Sequence, residues 1–189
     1  MAKSSARDVI LDTSESLFNA YGFHAVGVDR IQDVSGVSKV TMYKYFKSKN
    51  DLIFSVLKRR DEYFIESLSK IISSKKTLSD KISCVIEWHL EWFSQPTFKG
   101  CMYVNANKEF GMIDDEIKEF TKSHKQRFFN LILGIFDVNA PARKILANTL
   151  YLYVEGAISE VALTGSTLKI EESRMAFQEW LIKAASSTI

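Results

Sequence analysis

Between residues 39 and 49 the chain gathers Lys39, Thr41, Tyr43, Lys44, Tyr45 and Lys49. Ammonium groups bring charge and donors, and hydroxyls both donate and accept. Such a set suits an anionic, hydrogen-bonding partner. Met42 and Phe46, four residues apart, can anchor the same short helix to a core while the polar groups face outward. Upstream, Val28, Ile31 and Val34 recur every third residue and line one side of a preceding helix. Gly36 can take positive φ and end that helix, Val37 can plug the corner, and Ser38 can cap the next helix through its hydroxyl. Two short helices joined by a Gly-containing turn describe a helix-turn-helix, a unit whose second helix enters the DNA major groove.

The passage resembles the TetR family of transcriptional regulators. Gly36-Val37-Ser38-Lys39, Thr41-Met42-Tyr43-Lys44-Tyr45-Phe46, Lys47-Ser48-Lys49 and Asp51-Leu52 carry the likeness. It is specific over about residues 6 to 60 and general in layout beyond. Three positions depart from the usual pattern: Gly27 where Ser or Thr caps the second helix, Val40 where Gly or Pro is frequent, and Asn50 where Glu is common. The resemblance implies that Thr41 and Tyr43 contact phosphates or base edges and that Tyr45 takes a phosphate-facing place. Hydroxyls there would fix register, since most protein–DNA hydrogen bonds go to the backbone. Lys39 is placed to read a guanine edge, Val40 to meet a thymine methyl, and Lys49 to set a charge at a helix start near a phosphate.

Composition agrees. The 189 residues are 46% hydrophobic and 25% charged, enough to bury a core and unlike a disordered chain. The net charge of +2 is unevenly spread: residues 1 to 60 hold ten Lys or Arg against six Asp or Glu, the remainder fifteen against seventeen. A basic N-terminal third on a nearly neutral body is the footprint of a domain that meets phosphates. The N-terminus lacks the apolar core of a signal peptide, and no apolar run is long enough to span a membrane. Cys84 and Cys101 form neither a disulfide framework nor a zinc-site spacing, so a cytoplasmic chain with reduced thiols is expected. No motif for a cofactor or metal accompanies them.

With two prolines and eight glycines, long helices are expected and no strand pattern appears. The periodicity predicts an all-α chain with helices over about 6–21, a helix-turn-helix, 49–73, 78–94, about 101–111, 114–136, an eighth opened by Asn139 and Pro141 and running to Leu163, and 168–186. An N-terminal DNA-binding domain over 1–60 and a ligand-binding and dimerisation domain over 61–189 are expected. The second half is rich in rings that can enclose an apolar pocket: Trp88, Trp92, Phe93, Tyr103, Phe110, Phe120, Phe128, Phe129, Tyr151 and Tyr153. The same rings can equally fill a core. His89, Glu91, Asn105, Asn107 and Glu155 could orient a ligand there. Glu91 and Glu155 among rings suit an aromatic or cationic ligand; if those carboxylates face solvent, a neutral or lipid-like one fits as well. Cys101, at a helix start after Lys99-Gly100, reads as a packed residue or as a thiol that senses electrophiles.

By resemblance the eighth and ninth helices form a homodimer interface, through Ile145, Leu150, Leu152, Val154, Ala157, Ile158, Val161 and Ala162 on one and Met175, Phe177, Trp180, Leu181 and Ala184 on the other. The function implied is a ligand-responsive repressor on a near-palindromic operator, released by a small hydrophobic molecule. Activation, or ligand-independent DNA organisation, is the alternative. An enzyme would need Cys84 or Cys101 beside His89 or His124, without any accompanying nucleophile motif.

Overall fold

A computed structural model describes residues 5–186. Among them run nine helices and no strand: α1 (Ala6–Tyr21), α2 (Val28–Ser35), α3 (Lys39–Tyr45), α4 (Lys49–Ser74), α5 (Leu78–Phe93), α6 (Met102–Phe110), α7 (Asp115–Leu133), α8 (Arg143–Thr164) and α9 (Leu168–Ser186). Their starts carry the hydroxyl caps that the sequence supplies. Ser5, Ser38 and Thr77 each accept from the backbone N–H three residues on, at Asp8, Thr41 and Asp80. Asp114 does the same for α7, accepting from Ile117 N at 3.0 Å. Among the described residues no helix is long and apolar enough to cross a membrane.

The chain forms two compact units: Met1–Glu62 with Met102–Thr121, and Tyr63–Cys101 with Lys122–Ile189. The first thus includes α6 and the start of α7, which the sequence reading grouped with the second domain. The reason lies in side chains rather than chain order. Glu109 of α6 accepts from the backbone N–H groups of Phe23 (3.0 Å) and His24 (2.6 Å) in the α1–α2 turn. Tyr103 Oη donates to Leu57 O at 3.2 Å, and Phe110 packs on Phe23 and His24 at 6.0 and 4.6 Å between centroids. Asn50 Nδ2 donates to Asp114 Oδ2 at 3.0 Å. Arg59 spans Asp12 and Glu15, and Arg60 joins Glu15, tying α4 to α1.

The second unit buries Phe64, Leu68, Ile82, Val85, Ile86, Phe128, Leu146, Leu150, Val154, Ile158 and Leu181 in one core. Gly100 holds φ at 86°, and a Cβ there would lie 3.0 Å from the Ala162 side chain, so only glycine lets this loop approach α8 so closely. Tyr153 and Phe177 stack at 3.9 Å, pinning α8 to α9.

Two substitutions separate the roles of these contacts. Leu68→Ala, at a fully buried site, should cost about 2–5 kcal/mol in urea unfolding. Tyr103→Phe, which removes the hydroxyl that donates to Leu57 O, should cost about 1 kcal/mol. A Tyr103→Phe protein as stable as the parent would refute a structural role for that hydroxyl.

Candidate functional site

The helix-turn-helix is held by local hydrogen bonds that leave its outer face bare. Gly36 sits in the left-handed region (φ 69°) and ends α2 through its N–H on Gln32 O. Ser35 Oγ then accepts from Val37 N at 3.1 Å, and Gln32 Oε1 from Lys39 N at 2.9 Å. Met42 and Phe46 are both 98% buried, with Arg7 over the Phe46 ring at 5.6 Å. Of the expected apolar line on α2 only Ile31 is buried; Val28 is half-buried and Val34 is exposed. A spacing of three turns backwards by about 60° at each step, so Val34 has left the face that Ile31 occupies.

Opposite the anchors, Val40, Tyr43, Lys44 and Tyr45 are exposed, and Thr41 is half-buried with its hydroxyl 3.0 Å from Ser38 Oγ. Lys39 is not a bare cation. Its ammonium pairs with Asp29 of α2, and that hydrogen bond raises its pKa. Lys49 opens α4 half-buried; burial lowers its pKa, with Glu109 acting in the opposite direction. Ser48 and Asp51 brace this start, Ser48 Oγ accepting from Asp51 N and Asp51 Oδ2 from Lys47 N. All seven residues expected to meet DNA lie on α3 or at the start of α4. Asp29, Gln32 and Glu109, which position them, gave no signal in the sequence because their partners are set by the fold.

Of the expected ligand-site residues, the second unit brings together Trp88, Trp92, Phe128, Tyr151, Glu155 and Cys101. Phe64 is its hub, meeting Trp88, Trp92, His89, His124 and Phe128 edge-on at 4.8 to 6.1 Å. Tyr151 packs on Phe128 at 5.5 Å. Glu155 does not offer a free carboxylate: Lys125 Nζ bonds both its oxygens at 2.7 Å. Burial pulls the Lys125 pKa down, but Cys101 and Glu155 outweigh it and leave the ammonium above its ordinary value. The Tyr151 pKa is raised, first by burial and then by Glu155.

Tyr103 and Phe110 are not in this cluster. They lie on α6 in the first unit and fill its core, because Glu109 and the Leu57 carbonyl hold that helix there. Glu91 is exposed. Cys84 donates its thiol to Lys81 O at 3.2 Å and burial raises its pKa, so it is a packed, protonated thiol.

His89 is 98% buried, Nδ1 lies 2.7 Å from Val85 O, and burial lowers its pKa from 6.5 to about 4. The unfolded chain therefore takes up this proton as the pH falls through 6.5, while the folded chain resists until about 4. Stability from His89 is complete above 6.5 and is lost across that window, by on the order of 3 kcal/mol. The difference in unfolding free energy between the parent and His89→Leu should be constant above pH 6.5 and fall towards pH 4. A difference that stays flat would show that His89 is not held neutral.

Residues 10–56 match the family model described as bacterial regulatory proteins, tetR family. The Bacillus subtilis fatty acid metabolism regulator protein is 34% identical over 80 residues, 42% of this chain and 41% of that one. The Escherichia coli transcriptional repressor NemR is 25% identical over 114 residues, 59% of this chain and 57% of its own. Less than two thirds of either relative is thus spanned. In structure, a TetR-family transcriptional regulator from Streptomyces coelicolor superposes with a TM-score of 0.84 at 23% identity, over 97% of this chain and 95% of that one. Residues 10–56 thus match the N-terminal domain of the tetR family, and the chain as a whole takes the fold of that Streptomyces coelicolor regulator.

Proposed function

We propose that the protein is a DNA-binding transcriptional repressor, acting as a homodimer on a near-palindromic operator and released by a small apolar molecule held in the second unit. The observation that carries this reading is the outer face of α3: Val40, Tyr43, Lys44 and Tyr45 project from a helix whose other side is locked down by Met42 and Phe46. Repression is favoured by the likeness to NemR, a transcriptional repressor, over 59% of the chain.

The dimer would use α8 and α9. Leu150, Val154, Ala157, Ile158, Val161 and Leu181 are consumed by the core of the unit itself. What remains outside is an apolar line of Ile145, Leu152 and Leu163 on α8, with Leu168, Met175 and Trp180 on α9. Gly156 and Ser159 lie on the same side of α8 as the first three and would let a partner helix approach. Two recognition helices held by such a dimer would meet half-sites about 34 Å apart. α4 and α7 each belong to both units, so a ligand that favours a different setting of these helices changes the separation of the two α3 helices. It does so only by binding the spread state more tightly than the DNA-fitting one. Glu109 would pass the motion of α6 to the α1–α2 turn through its two backbone contacts.

The neutralised Glu155 and the exposed Glu91 remove the ground for a cationic ligand. A neutral, ring-bearing effector fits the aromatic cluster better.

Fluorescence anisotropy on duplex DNA at fixed salt tests the DNA face. Tyr43→Ala and Lys49→Ala should each weaken binding about tenfold across sequences, whereas Lys39→Ala should change which sequence is preferred. Unchanged affinity in all three variants would overturn the assignment. Glu109→Gln should leave the second unit's Trp fluorescence unchanged and weaken operator binding by several-fold. A reporter gene behind the selected operator fixes the sign of control: deletion of the regulator should raise expression.

A further inference from the structure

Among the described residues of the second unit, the imidazole of His89 holds a buried polar atom that no hydrogen bond satisfies. His89 Nε2 is buried and has no hydrogen-bond partner. The other ring nitrogen settles what it needs. Val85 O can only accept, so Nδ1 carries the proton and donates to it at 2.7 Å. The ring is neutral, and Lys125 nearby opposes a second proton. Nε2 is therefore a bare lone pair.

No donor of the described residues hydrogen-bonds to it. The imidazole is boxed by Phe64, Trp88, Trp92, Phe93 and Phe128, with centroid separations of 5.0 to 6.2 Å. The Trp88 N–H is spent on Ser67 Oγ at 3.1 Å. The Lys125 ammonium is committed to both oxygens of Glu155. Phe64, Phe93 and Phe128 are buried, and of the box only the two indoles keep some exposure. A buried acceptor left unpaired is unfavourable, and most native ones are satisfied by protein, water or ligand.

We propose that His89 Nε2 is the polar anchor of the effector site, and that the effector is a neutral, ring-sized apolar molecule presenting one O–H or N–H donor, a phenol or an N–H heteroaromatic. This rests on the second unit being where the effector binds. The ring body is selected by edge-on contacts with Phe64 and the indoles. The donor is selected by the lone pair, and net charge is disfavoured because Lys125 and Glu155 already neutralise each other. A site with a lone acceptor discriminates strongly against an analogue that lacks the donor, since that analogue leaves the acceptor buried and unpaired.

The test is a matched pair of probes, 2-naphthol and 2-methoxynaphthalene, which share the ring and differ in the donor. Calorimetric titration of the full-length protein should show 2-naphthol binding at least about tenfold more tightly. In His89→Leu the two probes should bind alike. In protein labelled with nitrogen-15 histidine, the His89 Nε2 resonance should move upfield with 2-naphthol and stay in place with the methyl ether. This measurement needs no variant, so it decides even if His89→Leu does not fold. Equal affinities in the parent, a preference that survives in His89→Leu, or an unmoved Nε2 resonance at saturation would each overturn the anchor while leaving an apolar effector site intact. Binding of neither probe would remove the apolar effector site itself, and the anchor with it.

Discussion

A seven-residue helix has no stability of its own in water, because nucleating its first turn is unfavourable and isolated helices below about 12–15 residues are marginal. α3 is such a helix, and it must also turn most of its surface outward. Everything that keeps it helical therefore comes from one buried side and two ends. Met42 and Phe46 supply the side, Ser38 the N-terminal cap, and the Gln32 amide oxygen receives Lys39 N from the preceding helix. The tight turn at Gly36 exists to bring these parts into reach. Val40, Tyr43, Lys44 and Tyr45 stand outside that buried side and are exposed.

The same economy explains why α6 is folded with the N-terminal helices. The α1–α2 turn leaves the backbone N–H groups of Phe23 and His24 at its tip, and one carboxylate, Glu109, takes both. A charge-assisted pair of this kind is stronger than two neutral hydrogen bonds. Asn50, a departure from the commoner Glu, is likewise put to use: its amide donates to Asp114, which a carboxylate at that position could not do. In the second unit the corresponding organiser is apolar, the Phe64 ring, around which indoles and imidazoles arrange their edges.

Most helix bounds were legible in the sequence to within a residue, but α7 ends at Leu133, not at 136, and α8 begins at Arg143, beyond Asn139 and Pro141. Hydroxyls such as Ser5, Ser38 and Thr77 cap locally, and a cap is a short-range event. The outward residues of α3 were legible for the same reason, being the remainder of a short helix with two anchors. The allegiance of α6 was not. It depends on Glu109 and Tyr103 reaching groups 86 and 46 residues away, and no spacing encodes such a pairing. Hence Tyr103 and Phe110 read as rings of a ligand pocket when they are core residues of the first unit. Lys39 and Glu155 read as available charges for a related reason. Their partners, Asp29 and Lys125, approach from other helices.

If α3 meets DNA as proposed, the Lys39–Asp29 pair sets how that face responds to ionic strength. A lysine that neutralises a phosphate ordinarily frees a condensed cation from the duplex, and each such event steepens the loss of affinity with salt. Lys39 must first let go of Asp29. The abandoned carboxylate then faces the polyanion and gathers a cation of its own, which cancels the one released. Lys39 would thus add little entropy of ion release and would repay its displacement only where a base edge offers a good acceptor. On that proposal, one internal counter-charge would make the first cation of α3 a discriminator instead of a source of general adhesion.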